Sequence, residues 1–285
     1  MNYDIYYVNS EGQKIDFCNW PYMIYDGDIL SYDWSYDSTP NYGMAGGKIT
    51  SFSKSVEKKK LKISVFAQSE LVYGRALDNL ADYIECDIAS MNPGRLYVNG
   101  NYIECYICGI NPDEWVTGCN TLDVELLIAI EYPFWLLDKE YVFPVSGQIS
   151  KENYKYPLKY PWRYPNRRTS GVIYQKHIKP CDFIITITGP VRNPIVKIGK
   201  LQYGFTGELR NNEYIVINSR QGFIRKYLDG VSTSQYIDIY DDRTRHNDIY
   251  HKLPRGTLNV QWTGEFAFSV VVIEERSFPK WISQA

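Results

Sequence analysis

Two cysteines, Cys105 and Cys108, have the spacing that comes nearest to a metal or redox motif in this chain. A structural zinc site needs a second pair of ligands, and the sequence contains no other CxxC spacing and no CxxH or HxxxH spacing. The pair also falls in a predicted strand, where residues three apart face opposite sides. We therefore expect neither a metal nor another cofactor at these thiols.

Residues that could do acid–base chemistry are few and scattered. The chain has three histidines, at positions 177, 246 and 251, and no G-x-S-x-G, G-x-x-x-x-G-K-[ST] or G-x-G-x-x-G motif. The adjacent acids Asp241-Asp242 and Glu274-Glu275 could suggest the carboxylates of a glycosidase. Neighbours on a strand point apart, however, and a glycosidase needs two carboxyl groups that face one cleft. The sequence therefore favours a protein that is not an enzyme.

Two groups of residues near the C-terminus could bind a ligand or a partner. Trp262 lies in an alternating strand, and exposed aromatic rings are common in sugar sites, although such a side chain is more often part of the core. Arg243, Arg245 and His246 form a polar cluster that could contact a partner or only water. Both interpretations stay open for each group at this point.

Three consecutive Tyr-Pro-x-basic units, at residues 156–159, 160–163 and 164–167, are the most distinctive stretch of the chain. Each proline fixes φ, removes a backbone donor and biases the preceding tyrosine toward extended geometry. In an extended ribbon alternate residues share a face, so one face is aromatic and the other carries the prolines and the bases. The edge of the ribbon that carries the prolines lacks N–H donors, so it cannot pair as a central strand. We therefore interpret the ribbon as a strap that lies across another protein surface.

Charge is distributed unevenly along the chain. Residues 1–47 contain seven acids and one base, whereas residues 138–180 contain nine bases and three acids. Opposite charges of this kind can steer one copy of a protein onto another and fix their register, although they can equally be two solvated surfaces. The residues expected at such an interface are Tyr156, Lys159, Tyr160, Trp162, Arg163, Tyr164 and Arg167 on the ribbon, and Asp26, Asp28 and Asp33 opposite them.

Hydrophobic periodicity predicts a mainly β protein with one helix. In the first domain, residues 1–135, alternation at 61–65 and 122–130 predicts strands, and Asn99-Gly100 predicts a hairpin. Apolar residues at helical spacing predict one amphipathic helix over about residues 74–89, packed on the sheet. Residues 136–180 are expected to be an extended linker that contains the strap. Short strands with Gly, Asn and Pro at their corners predict a β-sandwich over 181–285.

Composition excludes several classes of protein. The chain has 285 residues, 44% hydrophobic and 22% charged, which is enough for real cores and argues against disorder. A net charge of −2 argues against binding nucleic acid through bulk electrostatics. No apolar run approaches the ~18 residues of a membrane span, and no secretory signal is visible. Six dispersed cysteines fit reduced thiols in a cytosol better than secretion.

Taken together, the chain resembles the distal tail proteins of long-tailed bacteriophages, and the resemblance spans nearly its whole length. The residues that carry the resemblance, besides the Tyr-Pro ribbon, lie at 92–96, 132–135, 189–194, 207–217, 252–256 and 274–281. No one of these motifs is decisive, and their shared order is what makes the resemblance specific.

The resemblance implies a structural protein of the virion tail tip, assembled in the cytoplasm of the bacterial host. Its N-terminal β domain would build a hexameric ring, and a galectin-like β-sandwich would project outward. The implied partners are further copies of the chain, the tail tube protein, the tail-associated hub protein and receptor-binding proteins, with DNA passing through the lumen without being read. Two alternatives remain: a carbohydrate-binding module that recognises the host surface, and a glycan-cleaving tail protein. Some relatives carry carbohydrate-binding insertions, for which the compact range 181–285 leaves little room.

Overall fold

A computed structural model describes residues 4–113, 118–146, 169–228, 236–244 and 248–281 of the chain. The described residues are mostly β-strands with one α-helix, as the sequence predicted. The chain divides into two compact units, Met1–Leu137 with Glu275–Ala285, and Asp138–Glu274. The division into domains at 1–135, 136–180 and 181–285 stays a prediction, and the Tyr-Pro ribbon lies outside the described residues.

The first unit is built on antiparallel strands in the order β2-β1-β7-β8-β9-β6-β3, with β4 and β5 forming a separate two-stranded sheet. The long strand β8 pairs with β7 through its first half and with β9 through its second half. The strands are β1 (Ile5–Val8), β2 (Lys14–Asp16), β3 (Tyr22–Gly27), β4 (Ser35–Pro40), β5 (Gly47–Ser53), β6 (Glu57–Phe66), β7 (Gly94–Val98), β8 (Asn101–Pro112) and β9 (Thr121–Ile130).

Alternation along these strands separates core from surface. Leu61, Ile63 and Val65 of β6 are fully buried, and β9 pairs with β6 so that Leu126 lies opposite Leu61 and Val124 opposite Ile63. The hairpin predicted at residues 99–100 is confirmed between β7 and β8: Asn99 and Gly100 both have positive φ, as a tight two-residue turn requires.

The helix α1 (Glu70–Ser90) packs on β6 and β8 and begins four residues before the predicted start. Ser69 is its N-cap, where the hydroxyl accepts a hydrogen bond from the Val72 N–H at 3.4 Å, and Glu70 in the first turn complements the helix dipole. Its buried face consists of Tyr73, Ala76, Leu80, Ile84 and Asp87. The helix contains acids throughout, and no helix of the described residues is apolar enough to cross a membrane.

The second unit is a β-sandwich. One sheet has the order β19-β18-β17-β12-β21 and the other the order β11-β20-β14-β15. Its strands, with β10 (Trp135–Phe143) preceding them, are β11 (Ser170–Gln175), β12 (Asp182–Thr188), β13 (Val191–Arg192), β14 (Ile195–Ile198), β15 (Leu201–Gly204), β16 (Glu208–Leu209), β17 (Tyr214–Asn218), β18 (Phe223–Tyr227), β19 (Tyr236–Asp238), β20 (Gly256–Gln261) and β21 (Phe268–Arg276).

Both sheets contribute alternate residues to one core. Phe183, Ile185 and Ile187 of β12 are fully buried and belong to the same hydrophobic cluster as Val196 of β14 and Val260 of β20. Periodicity in the sequence predicts strands at residues 182–188, 195–198 and 223–227, and β12, β14 and β18 have these bounds. Within residues 136–180, the described part contains two strands: most of β10, which ends at Phe143, and all of β11.

Candidate assembly surfaces

The most exposed part of the first unit is the hairpin of β4 and β5, which we call the arm (residues 35–53). Every residue of both strands is exposed, and neither strand pairs with any other strand of the described residues. The pairing runs from Ser35 opposite Ser53 to Pro40 opposite Gly47, with a shift of register after Asp37. A strand pair normally buries one face or continues its pairing at its edges, and the arm does neither among the described residues.

Large apolar side chains cover much of the arm. Tyr36 and Phe52 lie opposite each other, their ring centroids 6.5 Å apart, and are 62% and 60% exposed. Near the tip, Tyr42 is 99% and Met44 76% exposed. Ile49 faces solvent on β5 as well. Exposed apolar patches of this kind are typical of interaction surfaces.

The three acids expected to face the basic ribbon lie in β3 and in the segment that leads from β3 to the arm, and two of them are engaged within their own chain. The Asp26 carboxylate lies 3.7 Å from the Lys62 ammonium, and both are partly exposed. Asp28 accepts a hydrogen bond of 2.6 Å from the Lys60 backbone N–H, which ties the end of β3 to β6. Asp33 is exposed and lines a polar cavity of about 240 Å³ at the base of the arm. Their pairing with the ribbon stays a prediction.

Arg243 is held by its own loop in the second unit. Its guanidinium donates a hydrogen bond of 2.7 Å to the Tyr240 carbonyl and lies 3.9 Å from the centroid of the Tyr240 ring. Its backbone forms a bridge with Phe205. Arg245 and His246 lie outside the described residues, so the expected polar cluster stays a prediction.

Trp262 faces the interior of the sandwich and does not form a sugar platform. The side chain is only 7% exposed, with ring centroids 5.6 Å from Phe143 and 5.3 Å from Phe268. It follows Leu258 and Val260 at the same strand periodicity, and both of those face the core. Burial of Trp262 therefore removes the residue on which the carbohydrate-binding interpretation depended.

The cysteine pair offers no common ligand position. Cys105 is buried and Cys108 is exposed, both as free thiols, and a bulge in β8 lies between Ile107 and Gly109. Burial raises the pKa of the Cys105 thiol to about 12, which disfavours the thiolate that metals and oxidants require. Among the described residues, no group of three or more His, Cys, Asp or Glu side chains could hold a metal ion.

Two rows of cross-strand tyrosines are surface features that the sequence analysis missed. Tyr6 stacks on Tyr97 with ring centroids 4.6 Å apart. In the second unit, Tyr214 stacks on Tyr227 at 4.9 Å with an angle of 9° between the rings, and Tyr236 continues the row. Only the strand register brings these residues together, which is why spacing along the chain did not reveal them.

Comparison with known proteins finds phage tail components with this fold. No protein-family model and no curated protein matches the chain. A chain of the phage P2 baseplate in its activated conformation with calcium has a TM-score of 0.67 and 13% identity, over 98% of this chain and 100% of that one. The same baseplate with strontium has a TM-score of 0.67 and 12% identity, again over 98% and 100%.

A third solved structure is described as a hub protein. The Dit protein of phage SPP1, a paradigm of the hub adsorption apparatus in phages that infect Gram-positive bacteria, has a TM-score of 0.56 and 11% identity, over 96% of this chain and 99% of that one. These matches extend over both units from end to end. The chain therefore has the fold of the SPP1 Dit protein and of the matched chain of the P2 baseplate.

Proposed function

We propose that the chain is a structural protein of a phage tail tip, where six copies close into a hub ring. The observation that carries this proposal is the arm, which exposes apolar side chains and two unpaired strand edges. The similar solved structures supply the second support, since they are parts of a baseplate and a hub. In a closed ring, one surface of each copy binds a different surface of the next copy. The arm is suited to be the first of these two surfaces.

The energetics of the arm favour a protein partner. Fully burying one Tyr, Phe, Met or Ile side chain contributes roughly 1.5–3 kcal/mol, and the arm exposes five such residues. Unpaired edges add backbone hydrogen bonds when a strand of another chain lies beside them. In a ring, a neighbouring copy can give every subunit both an apolar surface that buries the arm's side chains and a strand that pairs with its edges.

Within this proposal the ring joins the tail tube to the tail-associated hub protein and to receptor-binding proteins, and DNA passes through the lumen. A net charge of −2 is consistent with a lumen that does not bind DNA tightly. The strap of residues 156–167 is proposed to reinforce contacts between subunits through its bases. Assembly takes place in the host cytoplasm and the finished ring resides at the virion tail tip.

A carbohydrate-binding role is less well supported. Trp262 is buried, and the stacking of Tyr214 on Tyr227 already occupies one face of each ring. Sugar sites instead use aromatic faces that are free to stack on a pyranose ring. Glycan cleavage has still less support, because Glu274 pairs with Lys139 and Glu275 accepts a hydrogen bond from Tyr132. A structural role without catalysis is therefore the function that we propose.

The experiment compares the full chain with a variant in which residues 36–52 are replaced by Asn-Gly. Because the arm has no buried residue, the variant should keep the melting temperature of the parent protein. Size-exclusion chromatography with light scattering should show a ring-sized assembly for the parent protein, alone or mixed with tube and hub proteins, and monomer for the variant. A parent protein that stays monomeric in every mixture contradicts the ring, and a variant that still assembles contradicts the role of the arm.

A further inference from the structure

Lys54 connects the arm to the body of the first unit through a cluster of aromatic rings. It directly follows β5, and Trp34 directly precedes β4, so the two residues mark the two roots of the arm. The Lys54 ammonium lies 5.1 Å from the centroid of the Tyr32 ring, 5.3 Å from that of Trp34 and 4.8 Å from that of Phe134. It also donates a hydrogen bond of 2.9 Å to the Pro133 carbonyl.

These rings are fixed by further contacts. Trp34 meets Phe134 edge-on with centroids 5.8 Å apart, and Phe134 packs against Tyr132 at 5.0 Å. The Tyr132 hydroxyl donates a hydrogen bond of 2.7 Å to the Glu275 carboxylate. On the arm side, Trp34 meets Phe52 at 6.4 Å. We call Tyr32, Trp34, Phe134 and the Pro133 carbonyl the Lys54 cage, and it links both arm roots to the segment after β9.

The chemistry of the cage is specific for a cation with N–H donors. An ammonium is attracted to the negative face of each ring, and the attraction grows as water is excluded. Partial burial lowers the pKa of Lys54, which is consistent with an ammonium withdrawn from solvent. A methionine at this position would match the length of the side chain, but it would lose the charge and the hydrogen bond to Pro133.

We propose that Lys54 is a positioning residue that fixes the direction of the arm and so prepares it to meet the next subunit. Neither strand of the arm pairs with another strand of the described residues, so the contacts at its roots determine where it points. An arm held in one direction has less freedom to lose on binding than an arm that swings, and preorganisation of this kind strengthens association. This inference rests on the proposed ring.

The test uses Lys54→Met, Lys54→Arg and the matched control Lys58→Met in the full chain. Lys58 is an exposed lysine of β6 that lines the polar cavity at the base of the arm, as Lys54 does, and it has no part in the Lys54 cage. Hydrogen exchange followed by mass spectrometry reports on arm amides, and light scattering across a dilution series reports on assembly. For Lys54→Met we expect exchange about tenfold faster within residues 34–54 only, an unchanged melting temperature, and half-assembly at about tenfold higher concentration. Lys54→Arg should recover most of the slow exchange in the arm and most of the assembly at low concentration. Lys58→Met should match the parent protein in both measurements.

The two readouts separate this inference from the proposed function. If the parent protein forms rings and Lys54→Met forms them at the same concentration, the positioning role is wrong while the ring stands. If the parent protein forms no ring, the proposed function is wrong. Hydrogen exchange in the arm then still shows whether the Lys54 cage fixes the arm. Unchanged exchange in Lys54→Met overturns the inference in either case, as does an equal effect of Lys58→Met.

Discussion

The contact of Tyr7 with Asp87 allows a sharp test of how the first unit is held together. Both side chains are fully buried, and the Tyr7 hydroxyl donates a hydrogen bond to one oxygen of the Asp87 carboxyl group. The other oxygen accepts a hydrogen bond of 2.7 Å from the Ser10 backbone N–H. A Cβ added to Gly94 would lie 2.6 Å from Asp87 Oδ2, so the contact leaves no room for a side chain there. These contacts fix the last turn of α1 against β1 and β7.

Replacing Tyr7 with phenylalanine removes one hydrogen bond to a carboxyl group and leaves the ring in place. A bond of this kind contributes roughly 1.5–3 kcal/mol, so Tyr7→Phe should lower the free energy of unfolding by that amount at pH 7. Asp87→Ala should cost more, because it leaves the buried tyrosine hydroxyl and the partly buried Ser10 N–H without their acceptor. Urea unfolding followed by circular dichroism measures each change.

The pH dependence gives the same prediction a second, independent readout. Burial, then the nearby Cys105 and the bond to Asp87, raises the pKa of Tyr7 above its usual value. With a raised pKa in the folded state, the contribution is complete below the unfolded pKa of about 10 and is lost as the pH rises through the folded value. Above pH 10 the difference between the parent protein and Tyr7→Phe should therefore shrink by roughly 1.4 kcal/mol per pH unit.

The control is Tyr42→Phe, because Tyr42 is almost wholly exposed and the change should stay within about 0.5 kcal/mol. A Tyr7→Phe protein as stable as the parent protein would refute the reasoning. A difference that stays constant from pH 7 to pH 11 would show that the tyrosine hydroxyl acts in some other way.

Three further predictions concern the second unit and the strap. Trp262→Ala should destabilise the sandwich by about 3–5 kcal/mol in thermal or urea unfolding, because it empties a buried site between aromatic rings. Glu213→Gln should destabilise at pH 7, since the carboxylate accepts from the Arg210 N–H and pairs with Lys226, both at 2.7 Å. Burial alone would raise the pKa of Glu213, but these partners lower the pKa overall. The difference in unfolding free energy between the parent protein and Glu213→Gln should therefore vanish as the pH falls through the pKa of Glu213 in the folded protein. Charge reversal at all three strap bases should weaken assembly, seen by light scattering, while each unit stays folded; they are Lys159, Arg163 and Arg167.

Each of these predictions has a result that would contradict it. Glycan binding that is lost in a Trp262→Ala protein of parental stability would support a sugar site after all. A Glu213→Gln effect that is equal at pH 7 and pH 3 would remove the ion pair from the explanation. For the strap, assembly that is insensitive both to charge reversal and to salt would end its proposed role, because exposed ion pairs weaken with ionic strength.

The strap can also be tested by removal. Ser146 and Thr169, the described residues on either side of 147–168, both lie against Gly264, within 3.3 Å of where its Cβ would be. A short Gly-Ser linker could therefore replace residues 147–168 without stretching the sandwich.

Periodic burial is what made the fold predictable from the sequence. Strands such as β9 and β12 alternate between buried and less buried residues, so their bounds follow closely from residue type. The start of α1 was placed too late because Ser69 and Glu70 act through capping and not through apolar spacing. Helical spacing from Leu80 and Ile84 places Ile88 on the apolar face, yet Ile88 is exposed. Asp87 is buried instead, because the Tyr7 hydroxyl and the Ser10 N–H donate hydrogen bonds to its carboxyl group.

The candidate surfaces were harder to predict because they depend on contacts between distant segments. The arm has no buried face, so its apolar residues show no periodicity that separates core from solvent. Its turn glycines, Gly43 and Gly46, between β-forming residues such as Tyr36 and Ile49, were the signal that could have indicated a hairpin. The Lys54 cage joins residues about eighty positions apart, and no spacing rule connects them.

The central claim, that six copies of this chain form a tail-tip ring through the arm, is tested most directly by the mass and image of the assembled particle. Mass photometry with averaged negative-stain images should show a closed ring of six subunits, which at 33.2 kDa each gives about 199 kDa. The same measurement on the arm-deleted protein should show monomers. A parent protein that remains at 33.2 kDa at every concentration and in every mixture with tube and hub proteins would contradict the account.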